Sequence, residues 1–125
     1  MNKNLFGLTN FASHSGIPLK WKIDCDALTD EDIETLAFII SEQFKFRSVY
    51  GVPTGGTRLA KALEKYCSKE ALSSLLIDDV LTTGKTMEEA RKSLNATYTH
   101  CVVIFARGEC PEWVTPIFTL TENFR

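Results

Sequence analysis

Two adjacent carboxylates, Asp78 and Asp79, follow the apolar run Leu75-Leu76-Ile77 and lead through Val80 and Leu81 into Thr82-Thr83-Gly84-Lys85-Thr86. An ionised carboxylate only accepts hydrogen bonds, at about four lone-pair sites, and so suits a ligand rich in hydroxyl donors such as the vicinal diol of a ribose. A carboxylate pair also stabilises positive charge developing on a sugar ring, because fixed charge aimed at a forming cation favours the transition state. The turn that follows has the opposite preference. Gly84 lets the backbone approach a ligand closely, and the hydroxyls of Thr82, Thr83 and Thr86 can donate to phosphate oxygens. Residues Met87 to Leu94 read as a helix with Met87, Ala90 and Leu94 on one face, and its unpaired amides and positive dipole end point at the turn. The whole run reads as a cradle for a phosphorylated sugar.

Gly84-Lys85-Thr86 also resembles the end of a nucleotide-binding P-loop, but that pattern needs a glycine five positions before Gly84, and the residue there is Asp79. A carboxylate inside a triphosphate cradle would repel it. Leu75, Leu76, Ile77 and Val80 form the short apolar run expected of a strand buried on both faces of a parallel sheet, so the polar break falls at its C-terminal end. Ligands of open α/β sheets bind at that edge. One unit upstream, Val49-Tyr50-Gly51-Val52 runs as a strand into Pro53-Thr54-Gly55-Gly56-Thr57 and a helix from Arg58 to Tyr66. Adjacent glycines leave amides free to form a concave anion nest. Another helix starts at Thr29 as N-cap with Asp32 three residues on, and Ile33, Leu36, Ala37, Ile40 and Phe44 form its apolar stripe. Strands are expected near Lys20 to Asp24, at Cys101 to Arg107 and near Thr115 to Leu120. This alternation predicts an α/β fold: a three-layer, mostly parallel twisted sheet with helices on both faces.

The segment Leu75 to Thr86 resembles the phosphoribosyl pyrophosphate (PRPP) binding motif of type I phosphoribosyltransferases. The resemblance implies that Asp78 and Asp79 are the catalytic pair on the ribose diol and that Leu81, Thr82, Thr83, Gly84, Lys85 and Thr86 bind the 5′-phosphate. Pro53, Thr54, Gly55, Gly56 and Thr57 are similar to the family's pyrophosphate loop, with a cis peptide implied at Pro53-Thr54. Residues Phe11 to Asp24 resemble the start of orotate phosphoribosyltransferases, where a Ser-Gly turn enters a small hood over the base. Residues 1–24 would form that hood-like N-terminal segment, with Ser15, Gly16, Lys20 and Lys22 as base-binding candidates. Both lysines also fit a solvated strand face, and His14 lies in the same turn. Orotate enzymes have an arginine on the base carboxylate at a place comparable to Arg107, since a guanidinium matches a carboxylate with two parallel hydrogen bonds. A solvated strand end is the other reading of Arg107. Trp113 either stacks on a base or closes the core.

The chain departs from that pattern where orotate enzymes carry a long, Lys- and Arg-rich catalytic loop. Eight residues, Cys67 to Ser74, separate Tyr66 from Leu75, with Lys69 their only cation, and Gly55 stands where many orotate enzymes have lysine. A departing pyrophosphate needs cationic or Mg²⁺ stabilisation. The resemblance therefore implies a compact phosphoribosyltransferase that moves 5-phosphoribose from PRPP to a nucleobase, an orotate-like pyrimidine being favoured. Mg²⁺ is the expected cofactor, held mainly by PRPP with no direct protein ligand. A non-catalytic PRPP or nucleotide sensor on the same fold is the alternative. Orotate enzymes are dimers, so the resemblance also implies a homodimer.

The 125 residues suit a single domain, 1–125, with one core. The formal charge of −2, without a basic stripe, argues against nucleic acid as a partner. Cys25, Cys67, Cys101 and Cys110 lack CxxC spacing, with Cys25 and Cys101 expected in strands, and read as reduced thiols of a cytoplasmic protein. The N-terminus lacks a signal-type apolar run, and no stretch suggests a membrane span. His100 adjoins a strand and reads as structural.

Overall fold

The computed structural model describes residues 4–12, 18–94 and 98–120, with the side chains of 9–12 and 18–20 outside that description. Strands β1 (Phe6–Ala12) and β2 (Pro18–Ile23) pair antiparallel as a small hood, with an irregularity between Leu8 and Phe11. Helix α1 (Asp30–Gln43), strand β3 (Ser48–Gly51), helix α2 (Thr57–Leu63), strand β4 (Ser74–Leu81), helix α3 (Lys85–Lys92) and strands β5 (Thr99–Arg107) and β6 (Val114–Leu120) follow. β3, β4, β5 and β6 lie side by side in that order, all parallel.

Alternation along the strands explains the two cores. Leu75 and Ile77 of β4 and Val102 and Ile104 of β5 face α1 and α2, packing on Ile33, Leu36, Ala37, Ile40, Leu59 and Leu63. Leu76, Cys101 and Val103 point the other way, onto Met87, Ala90 and Leu94 at α3. Strands buried on both faces read as continuous apolar runs, which is why β4 and β5 were legible. The expected three-layer α/β architecture is the one observed.

The strand order has a consequence for the connections. β3, α2, β4, α3 and β5 progress across the sheet in one direction while α2 and α3 cover opposite faces, so the two crossovers have opposite hands. The Val52 amide donates to Ile77 at 2.8 Å while its side chain packs on the α3 side. For L-residues this makes β3–α2–β4 the left-handed crossover, against a strong right-handed preference. The connection runs through a 3₁₀ turn, Glu64–Tyr66, and then the short segment before Ser74, with no strand between α2 and β4.

Helix α1 begins with the expected capping box: Thr29 Oγ1 accepts from the Asp32 amide at 3.0 Å and Asp32 Oδ2 from the Thr29 amide at 2.8 Å. Asp30, Glu31 and Asp32 in its first turn also suit the helix dipole. Thr29→Ala is expected to cost about 1 kcal/mol, read as a lower urea midpoint with an unchanged slope. Arg58 joins α2 to the start of α1, donating to the Leu28 carbonyl at 2.7 Å and to Asp30 at 3.2 Å.

Several elements differ from expectation. Strand β1 was not anticipated, and Cys25 lies in a 3₁₀ turn, Cys25–Ala27, rather than a strand, because Asp24 ends β2 and accepts from the Asp26 amide. Trp113 packs on the α3-side core beneath the Arg91 guanidinium, 4.3 Å from its ring, so of its two readings the core is the one observed. His100 is exposed on β5, its ring 5.2 Å from Phe44. All four cysteines are free thiols. No helix among the described residues is long and apolar enough to cross a membrane.

Candidate functional site

A cleft of about 540 Å³ opens at the C-terminal edge of the sheet, where β3 and β4 deliver their polar ends. Asp78 and Asp79 lie inside β4 and line the cleft together, one step before its last residues. Each turns back on the chain: Asp78 Oδ1 accepts from the Asp79 amide at 2.8 Å and Asp79 Oδ1 from the Val80 amide at 2.7 Å. Burial, and next the neighbouring Asp79 carboxyl, hold Asp78 well above the usual carboxylate range, at about 7.

From the last residue of β4 into the start of α3, Leu81, Thr82, Thr83, Gly84, Lys85 and Thr86 all line the cleft. Gly84 caps α3 in the left-handed conformation, φ 81°, and its carbonyl accepts the helix's first bond, from Glu88 at 2.8 Å. That conformation is the one a side chain resists, so the glycine is required by the turn. At the start of α3 the Lys85 amide donates to Thr83 Oγ1 at 3.4 Å, and Lys85, Thr82, Thr83 and Thr86 are exposed around it. Leu81 is buried and anchors the turn to the α3-side core.

After β3 the chain turns through Pro53, Thr54 and Gly55, which line the cleft, with a cis peptide between Pro53 and Thr54. Gly56 and Thr57 do not line it. Gly56 is buried behind the loop, where a Cβ would strike the Ile77 carbonyl and the Val52 amide. Thr57 directs its hydroxyl to the Thr54 carbonyl at 2.7 Å. The loop is thus faced by three of its five expected residues and held in shape by the other two. At Gly55 a Cβ would fall on the Asp79 carboxylate, so the acidic motif fills the space that a side chain on the loop would need.

The hood contributes β2 and the turn after it. Lys22, Ile23, Asp24, Cys25 and Asp26 form one wall of the cleft. Burial and the surrounding carboxylates, Asp79 first, push the Cys25 thiol up to about 12, so it is protonated and no nucleophile. Asp24, Cys25 and Asp26 escaped the sequence reading as site residues; their signal was an acidic pair directly after a strand bound for this edge. Ser15, Gly16 and His14 lie outside the described residues, as does the side chain of Lys20. Arg107 does not line the cleft. Its guanidinium donates to the Trp21 carbonyl at 3.0 Å and lies over the Trp21 ring, 3.7 Å from its centroid, so it fastens β2 to the end of β5 instead of waiting for a carboxylate.

No protein-family model matches the chain, and no curated protein matches it. Solved structures do. UMP synthase of Leishmania donovani aligns with TM-score 0.72 at 18% identity over 93% of this chain, which spans only 34% of that protein. Orotate phosphoribosyltransferase of Aeropyrum pernix aligns with TM-score 0.71 at 18% identity, covering 92% of this chain and 88% of that one. The Mycobacterium tuberculosis H37Rv orotate phosphoribosyltransferase, in complex with inorganic phosphate, aligns with TM-score 0.66 at 12% identity over 90% and 87% of the two chains. The chain shares its fold with these three structures, two of which are orotate phosphoribosyltransferases.

Proposed function

We propose that this protein, on a phosphoribosyltransferase fold, binds PRPP with Mg²⁺ and transfers its 5-phosphoribosyl group to a nucleobase nitrogen, releasing pyrophosphate. The observation that carries the reading is the convergence in one cleft of the Asp78–Asp79 pair, the turn from Leu81 to Thr86 at the start of α3 and the loop after β3. In this reading Asp78 and Asp79 accept from the ribose hydroxyls and face the positive charge that develops as the bond from C1 to pyrophosphate breaks. Leu81 to Thr86 hold the 5′-phosphate, with Lys85 supplying a positive charge. Pro53, Thr54 and Gly55 face the pyrophosphate. A nitrogen of the base forms the new bond to C1, and pyrophosphate leaves with the electron pair of the old one.

The donor chemistry fits Mg²⁺ as an ion that keeps several waters and enters on substrate phosphates: Asp78 and Asp79 offer hard oxygen, and among the described residues no three His, Cys, Asp or Glu side chains converge as a cage. When bound, the ion would neutralise charge on the departing pyrophosphate.

One observation favours a second reading, a sensor that binds without turnover. Among the described residues the cations lining the cleft are Lys22 and Lys85, and the loop after β3 carries none. Calorimetric titration with PRPP, with and without Mg²⁺, followed by an assay of base-dependent pyrophosphate release separates the readings. Saturable binding, weakened at least 100-fold in the Asp78→Asn, Asp79→Asn double variant, is expected. Release that depends on a base would establish transfer, and binding without release on any base would establish the sensor. A folded protein that ignores PRPP would overturn both.

A further inference from the structure

On the phosphoribosyl reading, Leu81 to Thr86 take the 5′-phosphate and Pro53 to Gly55 the pyrophosphate, which leaves the wall from Lys22 to Asp26 for the base, so the charge of that wall bears on which base fits. Arg107, which the resemblance places on a base carboxylate, and Lys22, a candidate for lining the base site, each have a partner in the structure. Arg107 is bonded to and stacked on Trp21, outside the cleft. Lys22 Nζ lies 4.0 Å from Asp24 Oδ2. What the wall presents instead is Asp24 and Asp26 on either side of buried Cys25, all three lining the cleft, with Asp24 Oδ1 fixed by the Asp26 amide at 3.1 Å. With Asp78 and Asp79, four carboxylates line a cleft whose second ammonium, Lys85, belongs to the phosphate end.

Among the described residues lining the cleft, carboxylates outnumber ammonium groups, and charge mainly of one sign on low-dielectric walls focuses the field within a cleft. A base bearing its own carboxylate would meet that field as a like charge, whereas amino and ring N–H groups would find acceptors. We infer that the wall from Lys22 to Asp26 selects a nucleobase bearing an amino group and rejects one bearing a carboxylate, with Asp24 as the specificity-determining residue. This narrows the nucleobase away from the orotate that the sequence resemblance favours.

Calorimetric titration of the intact protein with ribose 5-phosphate, cytidine 5′-monophosphate and orotidine 5′-monophosphate tests this without requiring turnover. Ribose 5-phosphate is expected to bind, the cytidine nucleotide to bind more tightly, and the orotidine nucleotide at least tenfold more weakly than the cytidine one. Asp24→Asn keeps the oxygen that accepts from Asp26 and removes the charge; it is expected to narrow the ratio at least threefold. Orotidine nucleotide binding as well as or better than cytidine nucleotide would overturn the inference alone, while the site reading stands on ribose 5-phosphate. An unchanged ratio in Asp24→Asn would overturn the assignment to that residue. Failure of ribose 5-phosphate itself to bind a folded protein would remove the site reading and the inference with it.

Discussion

Asp78→Asn is expected to make the unliganded protein more stable above pH 7 while removing its ligand. Burial, and secondarily the adjacent Asp79, raise the Asp78 carboxyl from 3.8 to about 7. The folded state therefore holds the proton more tightly than the unfolded chain, and stability falls as pH rises from about 4 to about 7, with the full penalty above that window. Asparagine keeps the oxygen that accepts from the Asp79 amide and has nothing to titrate. After discounting for partial exposure and for the shared titration with Asp79, the gain at pH 8 is about 1–2 kcal/mol, or roughly 4–8 °C in Tm, and it vanishes near pH 4. Scanning calorimetry of both proteins at pH 4 and pH 8 checks this. A Tm difference that is the same at both pH values would show that Asp78 ionises freely. PRPP affinity is expected to fall about 10- to 150-fold, since a hydrogen bond to a charged acceptor is worth roughly 1.5–3 kcal/mol. In the parent protein, binding near pH 6.5 is expected to release a proton, seen as a buffer-dependent heat.

Gly56→Ala is the second large effect, and its target is the fold. The added methyl would lie between the Ile77 carbonyl and the Val52 amide, 2.8 Å from the latter, on the bond that ties the end of β3 to β4. Neither backbone group can turn aside as a flexible side chain could. The same glycine's carbonyl accepts from Ala60 at 3.0 Å, so moving it also disturbs the start of α2. A loss of about 3–5 kcal/mol is expected, enough to lower Tm by more than about 10 °C or to leave the chain unfolded. Gly84→Ala serves as a contrast. Its Cβ has room, meeting Leu81 Cδ1 at 3.5 Å, and only the positive φ opposes it, at about 1–2 kcal/mol. Equal losses at the two positions would show that the junction at Gly56 yields.

Much of the architecture was legible because the residues that build it repeat a period. Leu75 to Ile77 and Cys101 to Ala106 are apolar without interruption, as doubly covered strands must be, and Thr29 with Asp32 marked the start of α1 to the residue. The carboxylate pair and the glycine turns were legible through spacing that few other arrangements would use. What escaped was decided by contacts distant in sequence. Nothing near Arg107 shows that Trp21 will take its guanidinium, and nothing near Trp113 shows that Arg91 will cover it. Strand β1 has Gly7 and Asn10 among its apolar residues and an irregular pairing, so its alternation is weak. Asp24 and Asp26 gain their meaning from the fold, which places a turn after a hood strand against the end of β4.

The left-handed β3–α2–β4 crossover joins two neighbouring strands by a short route whose length the sheet does not fix. Because β3, β4 and β5 already lie side by side, sequence can be added between Ser68, whose amide donates to Phe46, and Ser73, whose carbonyl accepts from Arg47, without shifting any strand that carries the cleft. The open margin of β3 is where a returning strand would dock, and taking that place would turn the crossover to the common hand. The chain is in that sense a chassis: the ligand cradle is built into the frame, and the length of this connection is left free.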